Sequence, residues 1–500
     1  MRKFEIYDQQ IRKGNSIEVK KELQTVDYHR LKKHEIHQFA NLCRRTGLID
    51  LGLLSLRKHI FLKSGFNIDA KFELINAYCQ LLLKIGAADL TIKIMNDVKL
   101  RSRHYDPLTM AYSSMALWRM DDAQFYLKEQ LSQGSMDLYQ TTLTQLNLAG
   151  VLRFLGKSKD SLKILFEVRE TCIKNDWNLL KGNANELMGL NYFDLDVPEK
   201  SISHLKAAEK LLSSSNSRYI NYVNIWESLL KLRKAPFDSE ALETIGRVRK
   251  KAHELKLQHN LRTIDLQVAL IQKNNKSLIE VLINSPYKDF RSRYWPKEFD
   301  QPDELGPFKV FGSNEAKFNL FLKNGLLSDP LENKYTLSPT LFRLTRSLFC
   351  DSYRPLQLGQ VFCEIYPGEY FNPEVSPRRI YVAVQRLRTW WQNYDETMLL
   401  QFQRKTLSLS RAQSKTSNVA VLVDPDYTIG SNARGLDLIY QRRLDQLRSG
   451  EKNEWSFMEV SQRLNVSKRS IKYFLKKSIE SNDIEKIKMG RRSIYKLKAS

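Results

Sequence analysis

The chain has 500 residues, with 80 Lys+Arg against 56 Asp+Glu, a formal net charge of +24. Apolar residues make up 42% and charged residues 27%, a globular composition that excludes wholesale disorder and collagen-like structure. The length suggests roughly three domains, and the charge excess points to a polyanion partner without saying which.

The five cysteines, Cys43, Cys79, Cys172, Cys350 and Cys363, are scattered. They lack the spacing of a zinc site or a redox dithiol and read as reduced thiols of a cytoplasmic protein. No apolar run reaches the roughly 18 residues of a membrane helix, and no leader pattern follows Met1, so no membrane is expected. All eight histidines precede residue 260, and neither a GxxxxGK phosphate loop nor a GxSxG elbow occurs. His34 and His37, three apart on a predicted helix, read as a solvated face. The sequence therefore predicts no enzyme, no metal and no cofactor.

From the N-terminus, small residues recur at Gly52, Thr91, Ala123, Ser161, Ser201 and Ala241. Four residues after each stands a large apolar one: Leu56, Met95, Leu127, Leu165, Leu205 and Ile245. Gly47, Gly86 and Gly156 each precede a small position by five and mark turns. Small residues let two antiparallel helices approach, and the large ones fill the gap to the next pair. One such hairpin cannot bury its apolar face alone, so several must stack. The pattern resembles tetratricopeptide repeats, best over Leu148–Val168 and Met188–Ala208. The period is nearer 40 than the family's 34, and the terminal proline of the repeat is missing. Residues 1–285 are thus expected to form a tetratricopeptide-like solenoid, which the resemblance implies binds a protein or peptide in its groove.

Only Pro107, Pro198 and Pro236 precede residue 285, whereas eleven prolines follow. Residues 286–307, with Pro286, Pro296, Pro302 and Pro307, read as a linker. In 308–410, Phe318–Leu322 and Lys334–Leu337 are predicted strands around a Lys323-Asn324-Gly325 turn. Helices are predicted over Pro339–Cys350 and Gln357–Ile365, and a third opens at Ser376-Pro377, with Ser376 as N-cap. In that third helix Ile380, Val384, Leu387 and Trp391 form one stripe. Arg378, Arg379, Gln385, Arg386 and Arg388 occupy the other faces, a pattern suited to a major groove. A hairpin over Leu399–Ser410 carries Arg404 and Lys405 near its turn. The order of elements resembles the winged helix of OmpR-like response regulators, without that family's final glycine-aromatic signature and without a receiver domain.

Residues 411–431 read as a second linker, with a possible short strand over Val419–Val423. In 432–500, helices are predicted over Gly435–Leu447, Met458–Leu464 and Lys468–Ser481. A short strand is read at Trp455–Phe457, and strands over Ile484–Lys488 and Ser493–Lys498 flank a glycine turn. Ile471, Leu475 and Ile479 are predicted to face inward. Ser467 is the expected cap of the last helix, and Lys468, Arg469, Lys472, Tyr473 and Lys476 are left outside, with Arg491 and Arg492 in the turn. This resembles the winged helix-turn-helix of bacterial repressors, which implies DNA contact by recognition helix and wing.

The expected fold class is mainly α: a tetratricopeptide-like α-solenoid followed by two winged-helix (α+β) domains. The expected function is a cytoplasmic, nucleoid-associated transcriptional regulator that contacts duplex DNA and takes a protein or peptide signal in its solenoid. The alternative is a non-enzymatic interaction scaffold whose winged helices bind proteins. Neither operator, signal nor oligomeric state can be read from the residues.

Overall fold

A computed structural model describes residues 3–12, 15–102, 105–134, 136–212, 219–254, 257–297, 308–311, 320–323, 326–328, 334–336, 338–351, 353, 355–394, 398–403, 405–411, 420–423, 444, 447–448, 452–464, 468–489 and 492–498. The first 294 residues are built from antiparallel helix pairs. They are α1 (Lys3–Arg12) with α2 (Ser16–Gln24), α3 (Ile36–Arg45) with α4 (Ile49–Ile60), and α5 (Phe72–Lys84) with α6 (Ala88–Ser102). Next come α7 (Pro107–Ala116) with α8 (Met120–Ser132), α9 (Leu138–Phe154) with α10 (Ser158–Lys174), and α11 (Asn178–Asp194) with α12 (Pro198–Leu212). The pairs α13 (Tyr219–Lys234) with α14 (Ser239–Glu254) and α15 (Gln258–Ile271) with α16 (Asn275–Ile283) follow, and α17 (Lys288–Tyr294) ends the run. A two-stranded hairpin, β1 (Phe61–Leu62) and β2 (Gly65–Phe66), joins the second pair to the third.

The recurring small residues all lie on the second helix of a pair, and all are buried. Three of them also hold the pair together. Thr91 Oγ1 donates to the Cys79 carbonyl at 3.3 Å, Ser161 Oγ to Ala149 at 2.7 Å and Ser201 Oγ to Gly189 at 2.8 Å. Each reaches twelve residues back, into the first helix. Asn191 Nδ2 then donates to Ser161 Oγ at 2.9 Å and links one pair to the next. At Gly189 a Cβ would stand 2.8 Å from Leu205 Cγ, so only glycine permits this approach of α11 to α12.

Five residues before five of the six small positions the turn has a left-handed backbone. Gly47, Gly86 and Gly156 have φ of 77, 85 and 77°. Trp118 (φ 60°) and Asp196 (φ 59°) hold the same place without glycine, at a steric cost. Asp196 is exposed, and its 3.5 Å pair with Arg233 is solvated, so the pair contributes little. Asp196→Gly should therefore raise stability by about 0.5 kcal/mol, read as a higher urea midpoint at unchanged slope.

His204 of α12 stacks on Tyr192 (5.4 Å between centroids, 9°), with Nδ1 3.1 Å from Asn185 Oδ1. Burial lowers its pKa, and Arg169 and Lys200 lower it further. The folded state thus takes up the proton less readily than the unfolded chain. This contribution is complete above the unfolded value of about 6.5 and is lost as pH falls below it. His204→Gln should flatten the drop in melting temperature between about pH 7 and 5.

After the helical pairs the chain forms sheets. β3 (Phe308–Phe311), β4 (Leu320–Lys323), β5 (Leu326–Ser328) and β6 (Lys334–Thr336) pair antiparallel in sequence order. Helix α18 (Pro339–Cys350) precedes β7 (Leu356–Gln357), α19 (Leu358–Ile365) and α20 (Ser376–Tyr394). The hairpin of β8 (Met398–Gln403) and β9 (Thr406–Arg411) closes a three-stranded sheet in the order β7-β9-β8. β10 (Ala420–Val423) adds to the edge of the first sheet beside β3. Ser376 lies inside α20 rather than capping it, and its hydroxyl accepts from the Asn372 N–H at 2.9 Å.

The α18–β9 unit shares one core with the second and third helical pairs. Leu56, Ile60, Tyr78 and Ile85 from the solenoid join Val361, Phe362, Phe371, Ile380 and Leu387 in one buried cluster. Ile380, Val384 and Leu387 form the inward stripe, with Ala383 beside them.

The last unit has β11 (Glu454–Ser456), β12 (Ile484–Met489) and β13 (Arg492–Leu497) in the order β11-β13-β12, with helices Phe457–Leu464 and Lys468–Glu480. The helix predicted over Gly435–Leu447 falls mostly outside the described residues. In the final helix the inward face is Ile471, Phe474, Leu475 and Ser478, whereas Ile479 is 38% exposed. The spacing of 471, 475 and 479 drifts off a 3.6-residue helix by its second step, which turns Ile479 outward.

Candidate functional site

The first helices of successive pairs end around a cavity of about 510 Å³ inside the solenoid. Arg153 closes α9, Asp194 closes α11, Arg233 lies in the last turn of α13, and Arg262 projects from α15. Helix α17 adds Arg293 from the opposite wall. Trp118, Phe154, Tyr222, Trp226, Phe290 and Tyr294 supply aromatic surface. Four arginines and one aspartate thus line a half-enclosed space, where low dielectric strengthens the attraction for anions.

Most of these cations are already held. Arg153 Nε stands 2.7 Å from Asp194 Oδ2, and its NH2 donates to Oδ1 at 3.2 Å. Burial works against the Arg153 charge, but Asp194 more than offsets it and raises the pKa. Arg233 donates to the Phe193 carbonyl at 2.6 Å and lies 3.7 Å over the Phe193 ring. Arg293 donates to the Arg153 carbonyl at 3.3 Å. Arg262 pairs with Asp351, both side chains being almost fully buried (5% and 2% exposed). Tyr222 and Tyr294 hydroxyls stay protonated, since burial raises both pKa values. The cavity therefore presents guanidinium groups and the Tyr294 phenol on aromatic walls. Among the described residues no cluster of His, Cys, Asp or Glu could hold a metal ion.

None of these arginines stood out in the sequence. Aligning the repeats on their turns does mark two of them. Arg153, Phe193 and Arg233 each stand three residues before the turn position; at this position Arg153 and Arg233 line the cavity, whereas Phe193 is buried.

The residues expected at DNA are distributed differently. Arg378, Gln385 and Arg386 are exposed on α20. Arg379 forms an ion pair with Glu369 and lies 3.8 Å over Tyr366. Arg388 donates to the Leu400 carbonyl at 3.3 and 3.1 Å and to Gln385 Oε1 at 3.0 Å. Lys405 forms an ion pair with Asp50 of the solenoid. Lys472 and Lys476 are exposed, with Lys476 3.8 Å from Glu480. Arg404, Ser467 and Arg491 lie outside the described residues, as do the side chains of Lys468, Arg469, Tyr473 and Arg492.

No protein-family model and no curated protein matches the chain. Solved structures similar to it include the following three. One is a Rap protein complexed with competence and sporulation factor, at 13% identity and TM-score 0.41 over 58% of this chain and 85% of that one. The apo form of RapI is 13% identical, with TM-score 0.38 over 56% and 96%. The C-terminal part of a TPR repeat-containing protein from Cytophaga hutchinsonii is 12% identical, with TM-score 0.26 over 56% and 99%.

The expectation of a DNA-binding transcriptional regulator is corrected here. The structures named above are Rap and TPR repeat-containing proteins. The physical reason lies in the packing. The arginine-bearing helix α20 belongs to a unit whose apolar stripe shares a core with the solenoid. Arg379, Arg388 and Lys405 have partners within the chain. No described helix is long and apolar enough to cross a membrane.

Proposed function

We propose that the protein is a non-enzymatic interaction scaffold whose solenoid takes an extended peptide segment of a partner into the arginine- and aromatic-lined cavity. The observation that carries this reading is the cavity itself: concave, about 510 Å³, and lined by four arginines against one aspartate. Such a site suits a segment with carboxylates and aromatic side chains, since guanidinium groups pair with the former and ring walls cover the latter. The two α+β units are, in this reading, winged-helix modules used for packing on proteins. The unit over 308–410 has the chain's own solenoid as its first partner, and the unit over 432–500 is left for another.

Selection of phage-displayed random dodecapeptides on the immobilised full-length protein tests the proposal. Acidic and aromatic sequences should be enriched. Arg233→Ala should weaken the selected peptides roughly tenfold, the worth of one charge-assisted hydrogen bond. Absence of enrichment, or peptides that bind the R233A variant as well as the parent, would sink the reading.

A further inference from the structure

Arg262 is the most buried of the four arginines of the cavity. It lines the space and is only 4% exposed, yet its Nε has no hydrogen-bond partner. Its guanidinium lies 5.4 Å from the Tyr287 ring centroid and 5.4 Å from that of Tyr353. One NH2 group is given to Asp351 Oδ1. A carboxylate binds guanidinium best through two parallel N–H bonds. On the Nε edge of Arg262 those two donors are the buried Nε and the same NH2 that holds Asp351. A ligand carboxylate seated there would compete with Asp351.

Asp351 follows α18 directly, and Asp351 and Tyr353 together strap the α+β unit to α15 of the solenoid. Its Oδ1 also accepts from the Tyr353 N–H at 3.2 Å. The Tyr353 hydroxyl donates to Asp265 Oδ2 at 3.0 Å. Asp265 is in turn gripped by Arg249 at 2.7 and 2.9 Å. Arg262 is therefore both a wall of the cavity and the anchor of the strap.

We propose that the cavity recognises a peptide carboxylate through Arg262, and that occupancy frees Asp351 and loosens the contacts by which Asp351 and Tyr353 hold α15. This rests on the peptide-binding reading above and adds to it a coupling between ligand and α+β unit. Differential affinity for the strapped and unstrapped states is what makes such coupling possible.

The probe is the hexapeptide Glu-Tyr-Phe-Asp-Phe-Glu, labelled with fluorescein at its amino end and titrated into the full chain by anisotropy. Its C-terminally amidated form and its Gln/Asn form distinguish an α-carboxylate from side-chain carboxylates as the group recognised. Loss of binding in either form supports the proposal, and unchanged binding in both overturns it. Asp351→Asn removes the competitor and should tighten binding about tenfold, and Tyr353→Phe, which deletes only one hydrogen bond, about threefold. Deuterium uptake over residues 339–365 should rise when peptide binds the parent chain. If no peptide binds, both this proposal and the scaffold reading fall. If the peptide binds but neither variant tightens it and uptake is unchanged, the coupling alone is overturned.

Discussion

Arg262→Met is expected to lower the unfolding free energy by about 3–5 kcal/mol, because it strands Asp351 as a buried, uncompensated charge. The two side chains are 5% and 2% exposed, so water cannot take the place of the lost partner. Replacing both, as R262M/D351L, should recover most of the loss, since a well-packed apolar pair often equals or exceeds a buried ion pair. The Tyr353 N–H would still lose its acceptor on Asp351, so recovery should fall short by about 1 kcal/mol. Urea unfolding of the single and double variants reads all three numbers. A single-variant effect below about 1 kcal/mol would mean that the pair is solvated and not an anchor.

The second large effect is expected at Gly359, where α19 meets the third helical pair. Its N–H donates to the Ile85 carbonyl at 2.7 Å. A Cβ there would lie 2.7 Å from the Ile85 carbonyl oxygen, 2.8 Å from Ile85 Cγ1 and 2.9 Å from Ala87 Cβ. The nearest atom is backbone, so it cannot rotate away as a side-chain end could. Gly359→Val should cost about 3 kcal/mol or more by overpacking and by loss of that hydrogen bond. The damage should be local. Limited proteolysis should cut within 338–411 while the solenoid retains its helical circular dichroism. A variant that is as protease-resistant as the parent would show that the unit is not seated through Gly359.

That seat is reinforced by contacts from residues far apart in sequence. Tyr370 stacks on Phe66 at 4.4 Å and 11°, with its hydroxyl bonded to Lys93 at 2.9 Å and to Asp97 at 3.2 Å. The Tyr78 hydroxyl donates to the Phe371 carbonyl. Arg57 pairs with Glu374 at 2.9 Å. The Arg57 and Lys93 contacts rest on partly exposed groups and are worth little each. The shared apolar cluster and the Gly359 approach carry the docking.

Much of the helical architecture was legible in the residues. Small positions at Gly52, Thr91, Ala123, Ser161, Ser201 and Ala241 define where paired helices touch, because only small side chains let backbones approach. Local hydrogen bonding and 3.6-residue periodicity act over a few turns, so a pattern in the chain can encode them. The same locality explains the order of helices and strands read after residue 338. One error was local too: Ile479 was counted four residues at a time rather than by the true helical repeat.

The tertiary structure decided what those elements do. In the sequence, the arginines of α20 are an array on a polar face. In the fold, Arg379 turns to Glu369, Arg388 to the Leu400 carbonyl, and Lys405 to Asp50, some 350 residues away in sequence. Charge pattern along a helix shows which residues avoid the core; it does not show which already have partners. The cavity arginines are the converse case. Arg153, Arg233, Arg262 and Arg293 come from four separate helices and meet only where those helices line one cavity. Periodicity fixed the helices by short-range physics, whereas the docking of the α+β unit and the Arg262–Asp351 anchor come from contacts whose sequence separation no local pattern encodes.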